Sequence, residues 1–142
     1  MYLVAIAADH AGFELKEACK ANLTQAGIEV RDFGTHNQNS VDYPDFVHPV
    51  AKFLQEHSEY KGILICGSGQ GVCITANRYT HIRAALCWEK NIAALARKHN
   101  DANVLCLPAR FVTPQDSFDI IQTFLTTPFE GGRHQVRIDK IN

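Results

Sequence analysis

Residues 62–71 read GILICGSGQG. The first five are apolar or small and of strand length, and the three glycines that alternate over the next five positions (Gly67, Gly69, Gly71) free the backbone for positive φ. An apolar strand that breaks into a glycine loop and then opens a helix is a βα unit. Its turn can aim several amide N–H groups at one anion, beside a helix N-terminus that carries about half a positive charge. Working outward, apolar runs of strand length recur at 3–8, 28–33, 82–87 and 104–107, and stretches with helical periodicity lie at 13–26, 44–57, 71–77, 89–99 and 114–126. In the first helix Phe13, Leu15, Ala18, Cys19 and Leu23 share a face, and Gly27 supplies the stop. Strand and helix alternating through short loops predict an α/β fold, a five-stranded parallel, doubly wound, Rossmann-like sheet with right-handed crossovers and helices on both faces. The sequence FEGGRHQVRIDKIN from residue 129 onward falls outside the alternation and reads as a C-terminal tail on a single domain, 1–142.

Fourteen Lys and Arg against fifteen Asp and Glu leave a formal charge of -1. No broad field gathers nucleic acid or anionic lipid, so an anion must be held locally. The apolar start MYLVAIAADH is too short for a signal peptide or a membrane span and reads as a buried strand. Five cysteines (Cys19, Cys66, Cys73, Cys87, Cys106) are an odd number set mostly in core-like segments, the pattern of a reduced, cytoplasmic protein. There is no C-x-x-C, no H-x-x-x-H and no His–Cys pairing at zinc-ligand spacing, so no metal site is expected.

Ligands in such a sheet bind beyond the carboxyl ends of the strands, which selects Asp9-His10-Ala11-Gly12 after the first strand and the loop 66–71 after the third. Cys66 sits where amides and a helix end favour a thiolate, able to act as base or nucleophile; a packed core cysteine is the plainer alternative. Ser68 can donate a hydroxyl to the same oxyanion or simply cap its loop. Asp9 and His10 offer acid–base groups on the same edge, Asp9 being equally suited to cap the first helix. His99 closes the fourth helix and precedes the fifth strand, so it lies toward the amino edge, away from Cys66 of its own chain. If it acts on a substrate, it serves a neighbouring subunit, which predicts a homodimer with shared sites; a tetramer is not distinguished. Arg133 and Arg137, four apart with His134 between, share one side of a helical turn and suit phosphate, as does Arg110 after the fifth strand.

Several separated segments together resemble the type B ribose-5-phosphate isomerases and the related allose and galactose 6-phosphate isomerases. They are Asp9-His10-Ala11-Gly12-Phe13, Asp42-Tyr43-Pro44, the run 63–71, Ala76-Asn77, His99-Asn100-Asp101-Ala102-Asn103-Val104 and Glu130-Gly131-Gly132-Arg133-His134. The resemblance implies interconversion of ribose 5-phosphate and ribulose 5-phosphate, a step of the pentose phosphate pathway, through a cis-enediolate and without any cofactor. It implies that Cys66 is the base, as in the cysteine branch of the family, whereas another branch uses a glutamate at the position of Val72. The amides of Gly67, Gly69, Gln70 and Gly71, with the Ser68 hydroxyl, would hold the enediolate oxygen. His99 would shuttle the ring-opening proton with Asp9 near the sugar hydroxyls. His10, Arg133 and Arg137, joined by Arg110, would bind phosphate, with Tyr43, Asn100 and His134 lining the pocket. Allose or galactose 6-phosphate as substrate, and a non-catalytic sugar-phosphate or nucleotide sensor, stay open on the residues alone.

Overall fold

The computed structural model describes residues 2–142. Five parallel strands, β1 (Leu3–Ala8), β2 (Glu29–Asp32), β3 (Tyr60–Cys66), β4 (Ala84–Leu86) and β5 (Val104–Pro108), form one sheet in the order β2-β1-β3-β5-β4. The helices are α1 (Phe13–Gln25), α2 (Pro44–Glu56), α3 (Gln70–Ala76), α4 (Lys90–Asn100), α5 (Pro114–Thr126) and α6 (Arg133–Asp139), with a 3-10 turn at His10–Gly12. The parallel α/β architecture expected from the sequence is therefore present. The predicted strand at 82–87 shortens to three residues because β4 is an edge strand, paired with β5 alone and half-buried throughout.

Alternation along the central strands divides the core in two. Val4, Ile6, Ala8, Ile63, Ile65, Leu105 and Leu107 point toward α1, α4 and α5. Ala5, Ala7, Leu64, Cys66, Val104 and Cys106 point toward α2 and α3. Period-2 side chains on a strand buried on both sides produce this pair of cores, which is why the strands read as continuous apolar runs.

The face predicted for α1 is corrected at three positions. Lys16 is wholly buried while Phe13 and Ala18 are only half-buried. An ammonium tolerates that environment because its Nζ lies 2.7 Å from Asp32 Oδ2 and 2.8 Å from Glu17 Oε2, and Lys20 Nζ adds a third link at 2.8 Å from Asp32. Burial alone would raise the Asp32 carboxyl's pKa, but the hydrogen bonds from Lys16, Lys20 and the Gly34 amide outweigh it and hold it at about 2. Past β2 the chain keeps pairing with β1, since Phe33 N donates to Ile6 O (2.9 Å) and Thr35 N to Ala8 O (2.8 Å). This segment braces the end of β1, from which Asp9 and His10 project.

The tail is folded. It leaves α5, docks through the Glu130 amide on the Lys98 carbonyl (3.1 Å), forms α6 and ends with Asn142 Nδ2 donating to Thr80 O (3.1 Å).

Candidate active site

The carboxyl edge gathers ten of the fifteen expected residues. Cys66 ends β3 at 5% exposure, on the face covered by α2 and α3. The glycine loop follows, tied to the end of β5 by Ala109 N donating to Cys66 O (2.9 Å) and Arg110 N to Gly67 O (3.0 Å). Gly69 adopts φ 73°, and a Cβ there would meet Leu86 Cδ1 at 2.5 Å, so both conformation and space require glycine. The other two glycines make room for neighbours. A Cβ on Gly67 would lie 3.0 Å from the Arg110 guanidinium carbon, and one on Gly71 would lie 2.4 Å from the Tyr43 ring. Arg110 of the same chain and Tyr43 therefore flank the loop, one at each end.

Asp9 is 7% exposed and its Oδ1 accepts the Gly12 N–H at 3.1 Å, so this carboxylate does cap the 3-10 turn. Its own amide donates to Ile65 O (3.2 Å), which keeps it one residue's reach from Cys66. His10 Nδ1 accepts the Val41 N–H at 3.2 Å. A ring nitrogen that accepts is unprotonated, so neutral His10 carries its proton on Nε2, available as a donor. Ser68 is exposed, and its Oγ accepts the Gln70 N–H at 3.3 Å. Ser68 and Gln70 also border an apolar cleft with Leu86, Trp88, Pro108 and Phe111. Val72 is buried in the same cluster as Cys66.

The other five lie at the amino edge of the same sheet. His99 and Asn100 end α4, where Arg83, just before β4, donates from Nε to Asn100 O at 2.9 Å. Against them stand Arg133, His134 and Arg137 of α6, which together with His99 and Asn100 line a pocket. The His99 and His134 rings stack at 4.3 Å with a 13° tilt. Burial lowers the pKa of His134, and the neighbouring His99 and Arg133 add to that effect. Glu130, in no residue set expected from the sequence, completes this group, its Oε1 3.5 Å from His134 Nε2 and 3.9 Å from His99 Nε2. No helical spacing signals it, because Glu130 lies in the connector before α6, separated from His134 by Gly131 and Gly132 at positive φ.

The other four thiols sit in different surroundings. Burial pushes Cys19 and Cys87 up to about 12, and pushes Cys106 well above its ordinary value. The half-buried Cys73 is lowered, chiefly by its hydrogen bond with the Cys106 thiol.

A thiol at the carboxyl end of a parallel strand, an amide-rich loop after it and an imidazole and carboxylate on the same edge fit the class that comparison with known proteins shows: an α/β sugar-phosphate isomerase of the aldose–ketose type. The Ribose/Galactose Isomerase family matches residues 4–141, and the chain belongs to that family. It is 41% identical over 141 residues to ribose-5-phosphate isomerase B of Escherichia coli, covering 99% of this chain and 95% of that one. A ribose 5-phosphate isomerase structure from Thermotoga maritima has a TM-score of 0.97 at 52% identity, covering 99% of this chain and 97% of that one. Ribose-5-phosphate isomerase B of Mycoplasma genitalium, solved with bound ribulose-5-phosphate, has a TM-score of 0.93 at 46% identity, covering 99% and 93%.

Proposed function

We propose that this protein interconverts ribose 5-phosphate and ribulose 5-phosphate, with Cys66 taking the proton from C2 of the open-chain sugar and returning it to C1 through a cis-enediolate. The observation that carries this reading is Cys66 at the end of β3, directly ahead of a loop in which Gly69 is required by its positive φ and by Leu86, while Gly67 and Gly71 pack closely against Arg110 and Tyr43. The amides of Gly67, Gly69, Gln70 and Gly71 stabilise charge that develops on the enediolate oxygen, and Ser68 adds its hydroxyl by rotating away from the Gln70 N–H. Asp9 orients the sugar hydroxyls, and Tyr43 closes the pocket over the loop.

His99 opens the furanose ring, while His10, Arg110, Arg133 and Arg137 hold the phosphate and Asn100 and His134 line its pocket. These residues divide between opposite edges of one sheet, so the working unit is a homodimer in which each amino edge completes the partner's carboxyl edge. The whole chain acts as one isomerase domain, and its five unpaired thiols are compatible with a cytoplasmic setting. Purified protein given ribose 5-phosphate, allose 6-phosphate and galactose 6-phosphate in chelator-treated buffer should form ketose fastest from the pentose. A faster rate with either hexose phosphate would reassign the substrate.

A further inference from the structure

We propose that His99, Glu130 and His134 form a binding site for a divalent transition-metal ion, zinc above all. The three come from separate elements: the last turn of α4, the connector before α6 and the first turn of α6. The Glu130 amide, bound to Lys98 O at 3.1 Å, fixes the connector against α4. One ligand atom from each residue lies within 4.8 Å of the other two. Zinc–ligand bonds of about 2.0–2.2 Å put donor atoms around a tetrahedral ion about 3.4 Å apart. The 3.5 Å between His134 Nε2 and Glu130 Oε1 already matches that span, and the 3.9 Å to His99 Nε2 is a few tenths too long.

One adjustment is required. Stacked rings aim their in-plane lone pairs along parallel planes, so His99 must turn out of the stack to share an ion with His134. Its side chain is 43% exposed, which leaves it room to do so. Two imidazoles and one carboxylate are the donor set of open zinc sites, with a fourth position for water. Two imidazole nitrogens also select against magnesium and calcium, which prefer oxygen. Arg133 and Arg137 in the same pocket oppose a dication, so affinity should be roughly micromolar, short of the tight binding of a dedicated structural site. An ion there immobilises the imidazole assigned to ring opening and should inhibit turnover. That consequence rests on the proposed function, whereas binding itself does not.

Zinc titrated into the intact protein against a chromophoric chelator should report one ion per chain at this site. Glu130→Gln, which keeps the shape, and His134→Ala should each weaken it at least about tenfold, as expected for loss of a direct ligand. Cys66→Ser and Cys73→Ser should leave it unchanged, and cobalt should give d–d absorption without a thiolate charge-transfer band. Unaltered affinity in Glu130→Gln and His134→Ala, or loss of the ion in a cysteine variant, would overturn the proposal. Zinc that binds as described yet spares turnover would support the ion site and count against His99 in ring opening.

Discussion

The two edges of the sheet are built on different principles. At the carboxyl edge Cys66 and Gly69 are buried and held by strand ladders and by contacts that admit no Cβ. At the amino edge α6 buries none of its residues, and Arg133 and Arg137 stand exposed. A group that moves a proton must stay within a fraction of an ångström of its target, so it belongs on the rigid interior. A group that holds a phosphate tolerates more freedom, because long-reaching, charged fork donors find their partner from many starting positions. Substitution of Cys66 should therefore fall on kcat, and substitution of the exposed Arg133 and Arg137 mainly on KM, with His99 the amino-edge group that also takes part in the chemistry.

The largest effect tests that division directly. Cys66→Ala should lower kcat by about 100- to 10,000-fold, the usual contribution of a placed acid–base group, with KM and the melting temperature little changed. Near-native turnover in that variant would remove the thiol from the proton-transfer role. Arg137→Ala should act in the opposite manner. Losing a charge-assisted contact worth about 1.5–3 kcal/mol corresponds to a rise in KM of roughly 10- to 150-fold. A fall confined to kcat would show that Arg137 acts on the chemical step itself and would dissolve the distinction.

Complementation sharpens the comparison further. Two inactive proteins, Cys66→Ala and His99→Asn, carry their defects on opposite edges. If sites are shared across a dimer, subunit exchange yields heterodimers in which one site has lost both groups and the other has lost neither. With random exchange half of the dimers are mixed, so about a quarter of native sites should return. Mixtures that stay inactive after demonstrated exchange would place both groups in one chain's own site.

Much of this arrangement was readable from the sequence because it depends on local pattern. Continuous apolar runs of strand length located the strands of the central sheet, and the rule that ligands gather beyond strand carboxyl ends singled out Asp9, His10 and Cys66. The placement of His99 away from Cys66 followed from counting elements alone. What the sequence did not display depends on residues far apart meeting in space. Lys16 lies on the buried side of α1, three residues before Cys19 and seven before Leu23, but a lysine does not read as core, and Asp32, 16 residues on, is what makes its burial tolerable together with Glu17. Glu130 gains its meaning from His99, 31 positions earlier in the chain. Tyr43 and Arg110 are tied to Gly71 and Gly67 by missing Cβ atoms, and a glycine in a loop does not announce which neighbour needs the space.

The Lys16–Asp32 pair leads to the prediction with the least expected effect on turnover, and it concerns how the carboxyl edge is held. Asp32 ends β2, and its Oδ1 accepts the Gly34 N–H at 2.9 Å, bracing the segment that pairs with Ala8 just before Asp9. Its pKa lies at about 2 in the fold, against an ordinary carboxylate value near 3.9 in the unfolded chain. A carboxylate depressed on folding stabilises the native state fully above the unfolded value, and that contribution drains away as pH falls through the folded one. The window is therefore about pH 4 down to 2. The contribution is about 2 kcal/mol, since a tenfold difference in proton affinity between the folded and unfolded chains corresponds to about 1.4 kcal/mol. Urea melts of the native protein and of Asp32→Asn should differ most between pH 5 and 7, where the variant also leaves the buried Lys16 ammonium with Glu17 alone. The gap should narrow by about 2 kcal/mol as the pH is taken down toward 2. A difference that stays constant over that range would mean that Asp32 holds the edge by shape and hydrogen bonding, with its charge contributing nothing.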